Sequence, residues 1–156
     1  MTTITLSEIK AAQDRVAALI AQYEAEAAAA SVAKTVLYVV PEAQIELQPG
    51  EVYVGLILGS DEEPSYHLIL LPGQATDVTW EDAKAWAAKA GGELPTRREQ
   101  RMLIANAKQH FEEEWYWSSE QYSARRAWIQ FFYDGSQSSS VKSAELRARA
   151  VRRFNA

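Results

Sequence analysis

The sequence predicts an α+β fold led by an N-terminal helix. Three observations carry this. An apolar stripe at spacings of three and four opens the chain, two capped helical segments lie in its middle, and short β-type runs flank them. The 156 residues suit one domain of ordinary size, with a core that folds without metal or disulfide help.

The first element is the helix. Thr5 with Glu8 fits a capping box, with Ser7 as a rival N-cap. Ile9, Ala12, Val16, Leu19 and Tyr23 follow at helical spacing, and the stripe runs into an alanine-rich tail at Ala25–Ala30. Two heptads do not establish a coiled coil. The stripe is either a short seam that brings two or three copies together or a face docked on its own domain. Its narrowness, with Glu8, Lys10, Gln13, Asp14, Arg15 and Glu24 on its flanks, favours self-assembly, with Ile9, Val16, Leu19 and Tyr23 as contact residues.

From Ser31 the period changes. Lys34–Val40 is rich in β-branched and aromatic residues and stops at Pro41; Gln44–Leu47 alternates briefly and ends at Pro49-Gly50. Val52–Leu58 and Tyr66–Leu71 flank a loop of turn formers and read as a hairpin closed by Pro72-Gly73.

Two helices come next. Thr79 with Asp82 caps one whose buried side holds Ala83, Trp86, Ala87 and Ala90, ending at Gly91-Gly92. After Leu94-Pro95, Thr96 with Glu99 forms a second box and opens a helix to about Gln109. Past Glu112-Glu113-Glu114 the β-type runs are Trp115–Ser119, Arg126–Tyr133, Ser140–Ser143 and Leu146–Phe154. Asp134-Gly135 marks a hairpin, and Ser136–Ser140 reads as a loop. The five tryptophans beside these runs read mainly as core filling.

Composition excludes much chemistry. With no cysteine there is no disulfide, thiolate nucleophile or cysteine-ligated zinc, and His67 and His110 alone make no metal site or triad. No apolar run approaches the roughly 18 residues of a membrane span, and Met1–Thr5 lacks the features of a secretory signal. Charge is uneven: residues 1–96 carry a net −9 and residues 97–156 a net +4, mostly from arginine. Such a half either pairs its charges internally, the favoured reading, or faces nucleic acid. Arg97 and Arg98 sit in a helix's first turn, where positive charge opposes the dipole, so at least one is expected to reach a carboxylate or carbonyl elsewhere.

One succession carries a resemblance. Thr79-Trp80-Glu81-Asp82-Ala83 with Trp86 is followed by Gly91-Gly92-Glu93-Leu94-Pro95-Thr96-Arg97-Arg98-Glu99. Then come Trp115-Tyr116-Trp117-Ser118-Ser119, Ala127-Trp128-Ile129-Gln130-Phe131, Asp134-Gly135 and Arg149-Ala150-Val151-Arg152. This order resembles the Lcl C-terminal domain family of bacteria and their phages, a family related to the C-type lectin and formylglycine-generating enzyme folds. The resemblance spans about residues 50–154. It implies a C-type-lectin-like twisted antiparallel sheet with two helices over residues 32–156, preceded by the helix of residues 1–31. Formylglycine-generating enzymes hold copper with cysteines, so that activity does not carry over. Calcium-dependent lectins present Glu-Pro-Asn or Gln-Pro-Asp, and neither tripeptide occurs here. The expectation is therefore calcium-independent, with no cofactor and no metal.

The resemblance places a ligand surface in the loops joining the C-terminal strands. The candidates there are Tyr116, Ser118, Glu120, Gln121, Tyr122, Ser123, Arg125, Tyr133, Ser136 and Gln137. Tyrosine and serine together supply rigid amphipathic area and adaptable hydrogen bonds. The functional expectation is a non-enzymatic, phage- or prophage-encoded module that recognises a protein or glycan, multiplied through a homo-oligomer of the first helix. It would be cytoplasmic on synthesis and virion-associated afterwards. The alternatives are an intracellular phage inhibitor of a host system and nucleic-acid binding through the arginine-rich half.

Overall fold

The computed structural model describes residues 5–31, 43–60 and 62–155. The chain divides into two compact units, Met1–Val40 and Pro41–Ala156. The run expected over Lys34–Val40 lies outside the described residues.

The first unit holds α1 (Leu6–Ser31). Thr5, not Ser7, is its N-cap. The Glu8 amide donates to Thr5 Oγ1 at 3.3 Å, and the Thr5 amide donates to Glu8 Oε2 at 2.8 Å, so both halves of the capping box are made. Leu6, Ile9, Val16, Leu19, Ile20 and Tyr23 are all exposed. Among the described residues no helix is long and apolar enough to cross a membrane.

The second unit is α+β. Its strands are β1 (Val52–Ile57), β2 (Tyr66–Leu70), β3 (Ala75–Val78), β4 (Trp115–Ser123), β5 (Arg126–Phe131), β6 (Gln137–Val141), β7 (Leu146–Ala148) and β8 (Val151–Asn155). Between β3 and β4 lie α2 (Trp80–Lys89), α3 (Arg97–Ala107) and a single 3-10 turn (Lys108–His110). The expected hairpin is β1 against β2, and β8 pairs with the free side of β2 to complete a three-stranded antiparallel sheet. The second sheet runs β3-β7-β4-β5-β6, antiparallel except where Tyr116 of β4 meets Arg147 of β7 in parallel.

Three expectations of the sequence are corrected. Gln44–Leu47 forms no strand. Ser136–Ser140, expected as a loop, is mostly β6, because its backbone completes the ladder of β5 from Gln130↔Gln137 to Arg126↔Val141. Leu146–Phe154 is two strands in different sheets. The break falls at Arg149-Ala150, where the guanidinium of Arg149 donates to the carbonyls of His110 at 2.7 Å and Leu71 at 3.0 Å and holds the crossing in place.

Alternation along β4 and β5 gives the second sheet two different faces. Trp117, Ala127 and Ile129 join Trp80, Ala83 and Ala87 of α2, with Leu71 and Leu94, in one core cluster. Ala90, expected on the buried side of α2, is exposed. Tyr116 and Phe132 join Leu103 and Ala107 of α3 and the inner residues of the three-stranded sheet, Val54, Ile57, Leu68 and Leu70, in the other. The loop between α2 and α3 is stitched to β8 of the three-stranded sheet where Glu93 and Val151 exchange backbone hydrogen bonds at 2.9 and 2.8 Å. A Cβ on Gly92 would stand 2.3 Å from the Val151 carbonyl, so only glycine allows this approach.

Candidate recognition surface

The start of α3 positions the site. Thr96 Oγ1 accepts from the Glu99 amide at 3.2 Å and the Thr96 amide donates to Glu99 Oε2 at 2.7 Å, the box expected from the sequence. Glu99 is also fully buried, and Arg153 of β8 holds it with two forked bonds, Nε to Oε1 at 2.6 Å and Nη2 to Oε2 at 3.0 Å. Tyr66 of β2 donates its hydroxyl to Oε1 at 2.8 Å. Arg153 pairs with Glu93 as well. Burial works to raise the Glu99 carboxyl. The bonds from Arg153, Thr96 and Tyr66 outweigh it and hold the group below the ordinary glutamate range. Burial, and then the carboxylate it serves, push the Tyr66 phenol up to about 12. A helix locked this firmly to two strands gives its first turn a fixed place.

That first turn presents Arg97. A chain of buried amides leads to it from the core. Gln100 Nε2 donates to the carbonyls of Tyr116 and Trp117 at 3.3 and 3.2 Å. Gln130 Nε2 donates to the Gln100 carbonyl at 2.8 Å, and Gln137 Nε2 donates to Gln130 Oε1 at 2.9 Å and to the Arg97 carbonyl at 2.9 Å. Arg97 Nε closes the chain by donating to Gln137 Oε1 at 3.2 Å. So fixed, the guanidinium lies over the Trp128 ring, 3.6 Å from its centroid. Tyr122 meets the same ring edge-on at 5.0 Å. The Arg97 amide donates to Glu120 Oε2 at 2.6 Å, which sets a carboxylate against the helix N-terminus.

Trp128 is therefore not core filling. Trp80 and Trp117 are buried, and Trp86 and Trp115 pack against the same cluster, but Trp128 is half-buried on the other face, between Tyr122 and Arg97. Its period-two neighbours Arg126 and Gln130, set against Ala127 and Ile129, are the sequence signal for this face.

The residues expected to bind ligand separate into three groups. Tyr116 and Ser118 are buried and do not belong to an exposed surface. The Tyr116 hydroxyl accepts from the Glu112 amide at 3.1 Å, and Ser118 Oγ accepts from the Glu120 amide at 3.2 Å. Both lie on β4, whose position between β7 and β5 encloses them. Gln121, Tyr122, Ser123 and Arg125 are exposed at one end of the β4-β5 pair. Tyr133 and Ser136 are exposed at the far end of β5, about 20 Å along a six-residue strand. There the turn is pinned to α3 by Arg101, whose Nη1 donates to the Gly135 carbonyl at 2.9 Å. Gly135 itself takes a φ of 81°. Gln137, half-buried, joins the amide chain behind Trp128. Tyr122, Trp128, Arg97 and Gln137 are thus linked in one group by ring contacts and a hydrogen bond, and Ser136, next to Gln137, and Tyr133 sit in the turn beyond β5.

Several arginines of the basic half bond to other parts of the chain. Arg152 forks onto Glu51 at 2.7 Å through both Nε and Nη2, and Arg147 meets Glu112 at 3.0 Å. Arg98 donates to the Leu58 carbonyl at 2.7 Å. Arg147, Arg152 and Arg153 thus make the internal charge pairs favoured from the sequence, while Arg98, Arg101, Arg125 and Arg126 are exposed. Among the described residues no group of three or more His, Asp or Glu side chains is placed to hold a metal ion. No protein-family model matches the chain, and no curated protein matches its sequence.

Proposed function

We propose that the chain is a non-enzymatic recognition module with a C-type-lectin-like domain, as its resemblance to the Lcl C-terminal domain family implies. Its ligand is a protein or a glycan, bound on the surface formed by Tyr122, Trp128 and Arg97. The observation that carries this reading is a half-open tryptophan held between a fixed guanidinium and the edge of an exposed tyrosine. With the guanidinium lying over the ring, such a surface offers a sugar ring or peptide segment the remaining aromatic area, the exposed Tyr122 and a fixed charge, with little side-chain entropy left to lose. The α+β architecture, with two helices set between the first hairpin and the C-terminal strands, is consistent with the lectin-like reading. The apolar stripe of α1 would gather copies and raise avidity for a repeated ligand. A phage or prophage origin and virion association go with this reading.

The test is an array of bacterial surface glycans and host proteins probed with the full chain. A genuine ligand weakens by about thirtyfold with Trp128→Ala and Tyr122→Ala, as for a central contact residue, and is unaffected by Tyr133→Ala. A ligand lost with Tyr133→Ala but retained by Trp128→Ala places recognition elsewhere. Turnover of any array component contradicts the non-enzymatic reading.

A further inference from the structure

The five-stranded sheet ends at β6, and the outer edge of that strand is open. The Phe131 amide donates to the Ser136 carbonyl and the Lys142 amide to the Arg125 carbonyl, both at 2.9 Å. Stepping by twos along the register from these bonds, Ser138 and Ser140 bond toward β5, and the backbone groups of Gln137, Ser139 and Val141 point away from it. Among the described residues no strand pairs with this edge, and the three outward amides meet no acceptor. Edge strands are ordinarily guarded by lysine, proline, a bulge or extreme shortness. Gln137–Val141 has none of these: it is five uncharged residues without proline, paired to β5 in unbroken register.

Charge decides what fits this edge. Arg126 of β5 reaches across to the middle of β6, where its Nε donates to Ser139 Oγ at 3.0 Å and its Nη2 donates to the Ser139 carbonyl, one of the outward groups. Among the described residues neither Arg126 nor its neighbours Arg125 and Lys142 make an ion pair. A second copy added strand to strand about a twofold axis at Ser139 would set Arg126 against its own counterpart, and like charges so placed repel. A strand carrying a carboxylate at that position meets the same guanidinium favourably. The Ser139 carbonyl has two lone pairs, so it can keep Arg126 and accept an amide from the added strand as well.

We propose that β6 takes up an extended acidic segment of a partner protein as an antiparallel sixth strand, paired through Gln137, Ser139 and Val141, with a carboxylate opposite Ser139 held by Arg126. Main-chain bonds supply the affinity, and the guanidinium selects the charge. Trp128 faces Ser139 from the neighbouring strand, so this edge adjoins the ring surface but is a separate contact, made by backbone.

The probe is a short capped peptide alternating valine and glutamate, titrated into the 15N-labelled full chain. In the free chain the amides of Ser138 and Ser140 exchange slowly with solvent and those of Gln137, Ser139 and Val141 quickly. Saturating probe is expected to slow the latter three by about tenfold or more. The same peptide with glutamine for glutamate should bind about tenfold more weakly, having lost a charge-assisted bond, and Arg126→Gln removes that difference. A probe N-methylated at its glutamates cannot pair and should not bind. Ser139→Pro deletes one outward amide, keeps the ladder to β5 and should abolish binding likewise. Equal affinity for the acidic and neutral peptides, binding of the N-methylated one, or no slowing of the three amides would each overturn the proposal. So would slow exchange at those amides before any peptide is added: slowness that survives dilution means the chain fills its own edge, and slowness lost on dilution means a second copy does. If the probe fails while an array ligand is still lost with Trp128→Ala, the ring surface stands and the edge contact alone is rejected.

Discussion

The guanidinium of Arg97 lies 3.6 Å above the Trp128 ring, and neither side chain reaches this position alone. Arg97 is carried by the first turn of α3 and Trp128 by the middle of β5, and Gln137 of β6 ties them by exchanging bonds with the Arg97 side chain and backbone. The start of α3 and the β5-β6 hairpin thus converge on one half-buried ring. A surface held by its scaffold in this way meets a ligand already ordered.

Removing the tie tests this first. Gln137→Ala frees Arg97 Nε and leaves the buried Gln130 amide oxygen without its donor. The expected cost is about 1–3 kcal/mol, the price of an unsatisfied buried acceptor. Arg97→Lys keeps the charge but loses the planar stack and the Gln137 bond, at about 1 kcal/mol. Urea denaturation curves measure both; changes within error for both variants would show that the stack is incidental.

A larger effect is expected where α3 is locked. Glu99→Gln leaves the Arg153 guanidinium without its main partner and should destabilise by about 3 kcal/mol, the low end for a broken buried pair, because Glu93 still faces Arg153. Glu99→Leu combined with Arg153→Met removes both charges and should cost less than the two single changes summed. Additive costs in that cycle would deny the coupling.

The same pair sets the pH response. Glu99 and Glu51 are held below their ordinary value of 4.5, Glu51 chiefly by its bond from Arg152. The unfolded chain therefore takes up protons first on acidification. The stability these pairs contribute is complete above pH 4.5 and is lost as pH falls through the lower folded-state values. Tyr66 acts at the other limit: with its phenol raised from 10.0 to about 12, stability falls as pH rises through that interval. Urea midpoints across pH 2–12 check both limbs, and Glu99→Gln should flatten the acid one.

The stripe of α1 makes a separate prediction. Val16→Glu with Leu19→Glu in the full chain puts carboxylates into an exposed apolar seam and changes no residue of the second unit. Light scattering should show an oligomer for the natural chain and a monomer for the variant. Equal masses for both would end the multivalent reading.

How much of this the sequence discloses depends on range. The Thr5, Thr79 and Thr96 caps are legible because a cap is written within four residues. The β1-β2 hairpin is legible from its turn residues, and Asp134-Gly135 announces the turn after β5. Long-range roles are not. Glu99 and Arg153 lie 54 positions apart, and nothing local marks Glu99 as buried rather than merely capping. The Gln137–Val141 strand escapes because serine and glutamine carry no β signal, and only the exposed ladder of β5 makes them a strand. Tyr116 and Ser118 have the composition of a binding loop, and their burial follows from the interior position of β4, which no local pattern states. Trp128 is the instructive case. Its face is readable from alternation with Ala127 and Ile129, but its ring is read as core wherever aromatic content alone is weighed.

The most direct measurement places a photo-crosslinking phenylalanine analogue at position 122 in one full chain and at position 133 in another, and exposes both to host-cell surface material. The account predicts a discrete adduct from position 122, suppressed by Trp128→Ala, and none from position 133. An adduct from position 133 alone, or one at position 122 that Trp128→Ala leaves unchanged, would contradict it.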